Sequence, residues 1–296
     1  MSATVTVLGS VNMDLVTTTS RMPSPGETVL GNGFRTGSGG KGANQAVAAA
    51  RAGAHVSFLG AVGDDTFAAP LRAGLADADV DVTLLRVAPG PSGVAAITVD
   101  ATGENSIVVV AGANATVTAL TAAELTAVAR ADVLLCQLEL PVETVTVAAA
   151  HAHATRTTVF LNPSPAQPLP DALVDNVDVL IVNETEAAQL GDAVLGRVPH
   201  LVTTMGGRGA RWRGPDADEV QVPSPSVAVV DTTGAGDAFA GTLAASWHLG
   251  PEAALRRATA AGALATTRPG AAASSPTAAD VDDLLARHPE PKPMRN

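Results

Sequence analysis

Residues 133–162 begin with Val133-Leu134-Leu135-Cys136-Gln137-Leu138, pass through an alanine-rich stretch at about 142 to 154, and end with Thr157-Thr158-Val159-Phe160-Leu161-Asn162. Two short apolar runs flank good helix formers, which is the pattern of a strand, a crossover helix and a second, parallel strand. The same alternation extends outward in both directions. Thr4–Leu8, His55–Val62, Val177–Val182 and Leu201–Thr204 read as further strands, and Asn44–Ala52, dominated by Ala, Gln and Arg, reads as a helix. Repeated βαβ units predict an α/β fold with a mostly parallel central sheet.

Composition agrees. Of 296 residues 46% are hydrophobic but only 2% aromatic, so the apolar content is chiefly Ala and Val. Such a chain suits helices packed closely on a buried parallel sheet. The net charge of −11 leaves no electrostatic footprint for nucleic acid or an anionic membrane surface. The single cysteine, Cys136, excludes an internal disulfide and, inside an apolar run, reads as a buried core thiol. The Met1–Leu8 segment lacks the basic and long apolar regions of a secretory signal. No apolar run is long enough to span a bilayer, so a cytoplasmic location is expected.

Two pairs of segments break the alternation. Met13–Thr19 and Thr28–Thr36 are polar, alternating, and joined through Pro23, Pro25 and Gly26; Val94–Asp100 and Ser106–Ala111 flank Thr102-Gly103-Glu104-Asn105. Both read as antiparallel hairpins, either simple surface hairpins or a small sheet standing off the main layer as a lid. The expected division is residues 1–12, 37–93 and 112–296 for the α/β unit, with 13–36 and 94–111 for the small sheet. The Pro- and charge-rich residues 289–296 are expected to lie outside the compact fold.

Polar residues gather where the strands end: Gly9-Ser10-Val11-Asn12-Met13-Asp14, Gln137-Leu138-Glu139, Asn162, Asn183-Glu184-Thr185-Glu186 and Thr204-Met205-Gly206-Gly207. Ligands of open α/β sheets bind at those ends, and amides with carboxylates suit a hydroxyl-rich ligand. Two glycine-rich turns open helices there, and a helix N-terminus favours phosphate. The first, Gly37-Ser38-Gly39-Gly40-Lys41-Gly42-Ala43-Asn44, fits the spacing of a dinucleotide fingerprint, with Asp64 downstream. It lacks the core strand that the fingerprint requires immediately before it, and Gly42 stands where a phosphate-binding P-loop needs Ser or Thr. The second, Asp231-Thr232-Thr233-Gly234-Ala235-Gly236-Asp237, opens a helix from about Ala238 to Leu249. There Asp237 is either an ordinary helix cap or a base beside an anion hole of Gly234, Ala235 and Gly236, the arrangement phosphoryl transfer to a hydroxyl requires.

Asp231–Asp237 resembles the C-terminal signature of the ribokinase (PfkB) family of carbohydrate kinases, and Gly39-Gly40-Lys41-Gly42-Ala43-Asn44-Gln45-Ala46 resembles its N-terminal signature. Further likeness lies in Gly9–Asp14, Pro25–Thr28, Ala111–Asn114, Gln137–Glu139, Asn162–Ala166, Asn183–Glu186 and Thr267–Ala271, running in family order from about residue 5 to about 285. The resemblance implies a three-layer α/β/α Rossmann-like domain with a small β lid, and transfer of the ATP γ-phosphoryl group to the 5-hydroxyl of ribose. It implies Asn12, Asp14, Gly40, Lys41, Asn44 and Glu139 as sugar ligands, with Asp237 as base and Gly234, Ala235 and Gly236 as anion hole. Asn183, Thr204, Gly206, Gly207, Gly209, Gly236 and Thr259 fall on the ATP side. Asn183 and Glu186 match the motif that positions Mg²⁺, partly through water. Asp231, Thr233, Ala265, Arg268, Gly270 and Ser274 match the site of a monovalent cation, normally K⁺. A homodimer joined through the lids is implied as well. The chain departs from the family at Gly191–His200, where a full helix is shortened to a turn at most, and at Thr259, where some members carry a larger polar residue. A kinase of another sugar or of a nucleoside remains open. A catalytically silent sugar-binding regulator is disfavoured, since a pure binder needs neither Asp237 nor the anion hole.

Overall fold

The computed structural model describes residues 2–216 and 218–288, so the tail at 289–296 lies outside the described residues. The N-terminal half contains β1 (Thr4–Leu8), β2 (Asn12–Thr19), β3 (Gly31–Gly39), α1 (Lys41–Arg51), β4 (His55–Val62), α2 (Ala68–Ala76), β5 (Val80–Asp81), β6 (Leu85–Val87), β7 (Gly93–Val99), β8 (Asn105–Val110) and α3 (Ala122–Arg130). Next come β9 (Val133–Cys136), α4 (Val142–Thr155), β10 (Thr158–Leu161), α5 (Asp171–Val174), β11 (Val179–Asn183), α6 (Glu184–Leu190) and α7 (Asp192–Leu195). The chain ends with β12 (His200–Thr204), β13 (Ala210–Arg213), β14 (Glu219–Val222), α8 (Ala235–Ser246), α9 (Pro251–Ala265) and α10 (Ala278–Arg287).

The main sheet runs β14-β13-β12-β11-β10-β9-β1-β4-β5, with β6 also pairing β4. Its pairs are parallel from β12 to β5 and antiparallel for β13 and β14. Side chains alternate across a strand. Val133 and Leu135 therefore join Phe160, Val179 and Ile181 in one core, under Ala46, Phe239 and Leu243 of α1 and α8. Leu134 and Cys136 join Val159, Leu161 and Leu180 in a second core, under Val128, Val145 and Leu173 of α3, α4 and α5. Burial on both faces is why these strands read as unbroken apolar runs. This is a three-layer α/β/α fold with a mostly parallel sheet.

Small residues let the layers close. A Cβ on Gly241 of α8 would lie 2.3 Å from the Gln45 carbonyl oxygen and 2.7 Å from Ala48 Cβ, so α8 rests directly on the backbone of α1. Likewise a Cβ on Gly42 would lie 2.5 Å from the Gly9 carbonyl carbon, which seats the start of α1 against the end of β1.

The four-stranded second sheet runs β3-β2-β7-β8. Both expected hairpins are antiparallel pairs, and a parallel pairing of β2 with β7, from Asn12 with Gly93 to Thr18 with Val99, joins them. At the β7–β8 turn Asp100 accepts from the Thr102 N–H at 2.8 Å, and Gly103 takes φ +87°. On the edge strand β8, Ile107, Val108, Val109 and Val110 are each at least half exposed.

Several boundaries differ from expectation. The strand expected at 28–36 is β3, shifted to Gly31–Gly39 because Gly37, Ser38 and Gly39 pair with Asp14, Met13 and Asn12. Helix α1 starts at Lys41 rather than Asn44, and α8 starts at Ala235 rather than Ala238 and ends at Ser246, before a 3₁₀ turn at Trp247–Leu249. Strand β9 stops at Cys136 and β11 begins at Val179. The shortened 191–200 crossover holds the single turn α7. Among the described residues no helix is long and apolar enough to cross a membrane.

Candidate active site

The two glycine-rich turns place helix N-termini at the same end of the sheet, but they are finished differently. At α1, Gly40 has φ +90° and the first-turn N–H groups find partners inside the protein. Lys41 N–H donates to Glu139 Oε2 at 3.0 Å, Gly42 N–H to Ser10 Oγ at 3.4 Å, and Ala43 N–H to the Ser10 carbonyl at 2.9 Å. Ser10 Oγ donates to the same Glu139 oxygen, leaving Oε1 without a donor among the described residues. This turn is therefore closed to phosphate. At α8, Gly234 has φ +75°, and a Cβ there would lie 2.6 Å from Ala271 Cα, so glycine is required. Ala235 N–H reaches Thr232 O at 3.3 Å, while the Gly236 and Asp237 N–H groups have no partner among the described residues, as a first helical turn leaves them. This second turn is open to an anion.

Around the closed turn stand the expected sugar ligands. Asn12 is buried, and its Oδ1 accepts from Asn114 Nδ2 at 2.8 Å. Asn114 also clamps both backbone groups of Val11, at 3.0 and 3.2 Å. Asp14 lies on the backbone of Gly39, where a Cβ would meet both its carboxylate oxygens at 2.3 Å. Burial first, then the charges of Glu139 and Asp237, push the Asp14 carboxyl up to about 6, against the opposing pull of Arg35. Asn44 donates Nδ2 to Asp237 Oδ2 at 2.9 Å, while its buried Oδ1 has no partner.

Asp237 is 9% exposed and occupies the third residue of α8. It is not a helix cap, because its carboxylate turns to α1: Oδ2 takes Asn44 and Oδ1 takes Gln45 Nε2 at 2.9 Å. Burial raises its pKa, Glu139 adds to the rise, and Lys41 and the two amide donors oppose it.

On the other flank of α8 a cavity of about 470 Å³ is lined by Thr204, Gly206, Gly207, Gly209, Gly236 and Thr259. Thr259 Oγ1 donates to the Leu255 carbonyl at 2.8 Å, so its methyl and helix backbone, rather than a free hydroxyl donor, meet the cavity. A smaller cavity of about 160 Å³, sharing Thr204 and Gly236, carries Lys41, Asn183, Glu186 and Asp237 on its wall. Asn183 and Glu186 cap α6 reciprocally: Asn183 Oδ1 accepts from Glu186 N–H at 2.8 Å, and Glu186 Oε2 from Asn183 N–H at 2.9 Å. Among the described residues no group of three acidic, His or Cys side chains could enclose a metal. The pair fits Mg²⁺ in the usual way for a nucleotide site, where one or two protein oxygens supplement phosphate oxygens and water.

The positions expected at a monovalent cation fall in two adjoining loops. Asp231 Oδ1 accepts from Thr233 N–H at 2.9 Å and Oδ2 from Gly270 N–H at 2.9 Å. Burial pushes Asp231 up, but these bonds outweigh it and hold its carboxyl below the ordinary range. Ala265 is buried at the end of α9, Arg268 is exposed, and Ser274 Oγ donates to the Ala271 carbonyl at 2.9 Å. Arg51, in the last turn of α1, donates to the carbonyls of Ala272, Ala273 and Ser275. Asp231 thus ties the two loops to each other, and Arg51 ties the 272–275 loop to α1.

A family model described as pfkB family carbohydrate kinase matches residues 2–278. The chain belongs to this family. Ribokinase of Bacillus subtilis (strain 168) is 41% identical over 292 residues, covering 95% of this chain and 99% of the relative. Deoxyribokinase of Salmonella typhi is 35% identical, covering 95% and 98%. The solved structure of Arabidopsis thaliana ribokinase, complexed with ribose and ATP, superposes with a TM-score of 0.89 at 30% identity, over 96% of this chain and 99% of that one. As a pfkB family kinase of ribokinase type, the chain is a sugar phosphotransferase.

Some residues of this kinase site escape a sequence reading. Gln45, Asn114 and Asn162 lie inside motifs quoted above, yet nothing in their spacing marks what they touch. Gln137, at a strand end where sugar ligands are expected, is 1% exposed and instead donates Nε2 to Gln45 Oε1 at 2.6 Å.

Proposed function

We propose that the chain transfers the γ-phosphoryl group of ATP to O5 of D-ribose, giving D-ribose 5-phosphate and ADP. One observation carries the reading. On one side of Asp237 stand acceptors without donors among the described residues, namely Asp14, Glu139 Oε1 and Asn44 Oδ1. On the other stand N–H donors without acceptors at the start of α8. A polyol brings the missing hydroxyl donors, and a phosphate brings the missing oxygens. The carboxylate of Asp237 lies where the two would meet.

Asp14 and Glu139 take vicinal hydroxyls, and Asn12, Gly40, Lys41 and Asn44 complete the sugar site. Asp237 accepts the proton of the attacking hydroxyl. Gly234, Ala235 and Gly236 hold negative charge on the phosphoryl group in flight. Thr204, Gly206, Gly207, Gly209 and Thr259 cradle the nucleotide. Asn183 and Glu186 would hold Mg²⁺, which neutralises charge on the phosphates when bound. Asp231, Thr233, Ala265, Arg268, Gly270 and Ser274 would hold K⁺, mostly through carbonyls, and so order the loop behind the anion hole. Residues 13–36 and 94–111 act as a lid that closes over the sugar and expels water. The exposed apolar edge Ile107–Val110 supports a homodimer through the lids in the cytoplasm. A monomeric sedimentation profile at micromolar concentration would remove that assembly.

Coupled ADP release with Mg-ATP tests the reading, using D-ribose, 2-deoxyribose, fructose and adenosine with and without K⁺. Ribose preference with K⁺ stimulation is expected. Preference for 2-deoxyribose would keep Asp237 and overturn the roles given to Asp14 and Glu139.

A further inference from the structure

Behind Asp237 lies a chain of carboxamides with a fixed direction. Asn162, at the end of β10, donates Nδ2 to the Ile181 carbonyl of β11 at 3.0 Å. Its Oδ1 therefore faces Gln45 and accepts from Nε2 at 3.0 Å. The other Nε2 proton of Gln45 goes to Asp237 Oδ1 at 2.9 Å, and Gln45 Oε1 accepts from Gln137 Nε2 at 2.6 Å. Gln45 is fully buried, and both amide protons and the oxygen are used.

The two amides on Asp237 are not equivalent. Asn44 has a buried Oδ1 with no partner, so turning its amide over would offer that oxygen to a protonated Asp237 at no loss elsewhere. Gln45 has no such freedom. Turning it would set Oε1 against Asn162 Oδ1; Gln137 could follow by presenting its own unpartnered Oε1 to Gln45 Nε2, but Asn162 holds. Asn162 could follow only by turning oxygen toward the Ile181 carbonyl, which can never become a donor. A backbone group of β11 thus dictates, through two side chains, that Asp237 Oδ1 meets an N–H.

We propose that Gln45 is a positioning residue for phosphoryl transfer: oriented by Asn162, it keeps a donor on Asp237 Oδ1 and so holds the carboxylate ionised and aimed while the sugar hydroxyl is bound. This rests on Asp237 being the base. Other charged groups face Asp237 as well: Lys41 from α1, Glu139 beyond β9, Asp14 from β2, and Glu186 across the smaller cavity. Burial and Glu139 favour the protonated acid, while Lys41, Asn44 and Gln45 favour the carboxylate. Removing Gln45's donor tips that balance toward the acid.

The test is the pH dependence of kcat at saturating D-ribose and Mg-ATP, where titration of Asp14 in the empty sugar site does not enter. In Gln45→Met the acid limb should move up by about one pH unit. The rate should fall up to about ten-fold on the acid side of the limb and converge on wild type above it, with the Kd for D-ribose changed less than about three-fold. Asn162→Leu, which removes the group tied to the Ile181 carbonyl, frees Gln45 to turn and should move the limb the same way by less. If Gln45→Met does not melt cooperatively, Asn162→Leu decides by the same criterion. An unmoved acid limb, or a loss equal at every pH, overturns the proposal. Asp237→Asn separates the two readings. If it is inactive while both profiles coincide with wild type, the base stands and the positioning role falls. Near-normal turnover of Asp237→Asn removes both.

Discussion

Replacing Asp14 by Asn should stabilise the ligand-free protein at neutral pH while weakening its hold on sugar. The Asp14 carboxylate lies on the Gly39 backbone, accepts no hydrogen bond among the described residues, and faces Glu139 and Asp237. Its pKa rises from 3.8 to about 6. A raised carboxyl pKa means that the fold prefers the protonated acid, so ionisation works against folding. That penalty is absent below 3.8, grows as pH rises, and is complete above 6. The shift of roughly 2 units corresponds to about 3 kcal/mol at pH 8 and about half of that at pH 5. A neutral Asn of the same shape never incurs it. For a chain of this size about 3 kcal/mol is worth roughly 4–5 °C in Tm. Calorimetric melts of ligand-free wild type and Asp14→Asn at pH 8 and pH 5 should therefore show the variant ahead at both, by about twice as much at pH 8. Titration calorimetry with D-ribose should show affinity falling in the same variant. A gap independent of pH, or a variant less stable at pH 8, would refute the account of Asp14 as a charge waiting for hydroxyl donors.

Asp237→Asn should fold, bind sugar and lose at least about 10²-fold in turnover, measured by coupled ADP release. Gly241→Ala forces a methyl between α8 and the Gln45 carbonyl and should cost about 1–3 kcal/mol by denaturant melts, with kcat falling alongside because Asp237 rides on α8. Cys136 is fully buried, and burial pushes its thiol far up, so aromatic disulfide reagents should label it only after unfolding and leave native activity intact.

The sheet was legible in the sequence because its signals are local. Thr4–Leu8 and His55–Val62 are apolar runs closed by glycine, and both match β1 and β4. The start of α1 was not legible at Asn44, because what finishes its first turn is Glu139, 98 residues away from Lys41. The small sheet was half legible. Each hairpin carries its own turn residues, but the β2–β7 pairing joins segments about 80 residues apart without a compositional mark. Asp237 stood out beside its glycines, yet its orientation depends on Asn44 and Gln45 of another helix. Gln45 was hidden for the same reason: its partners come from β9, β10 and α8, and one of them is fixed by a backbone carbonyl that no side-chain pattern reports.

Arg51 gives α1 a second anchorage. The helix spans eleven residues, Lys41–Arg51. Its leading end is tied to Ser10, just past β1, and to Glu139, just past β9, and its trailing end is bolted to three carbonyls of the 272–275 loop. Along its side it carries α8 on Gly241 with no side chain between to cushion the joint. A beam fixed at both ends and loaded along its length transmits displacement instead of absorbing it. Asp237, its partners Asn44 and Gln45, and the Gly234–Gly236 turn are thus held as one casting. On the proposed function, travel to admit and release sugar then falls to the four-stranded sheet, which meets this piece where β3 turns into α1 at Gly39–Gly40, as a shutter meets a frame.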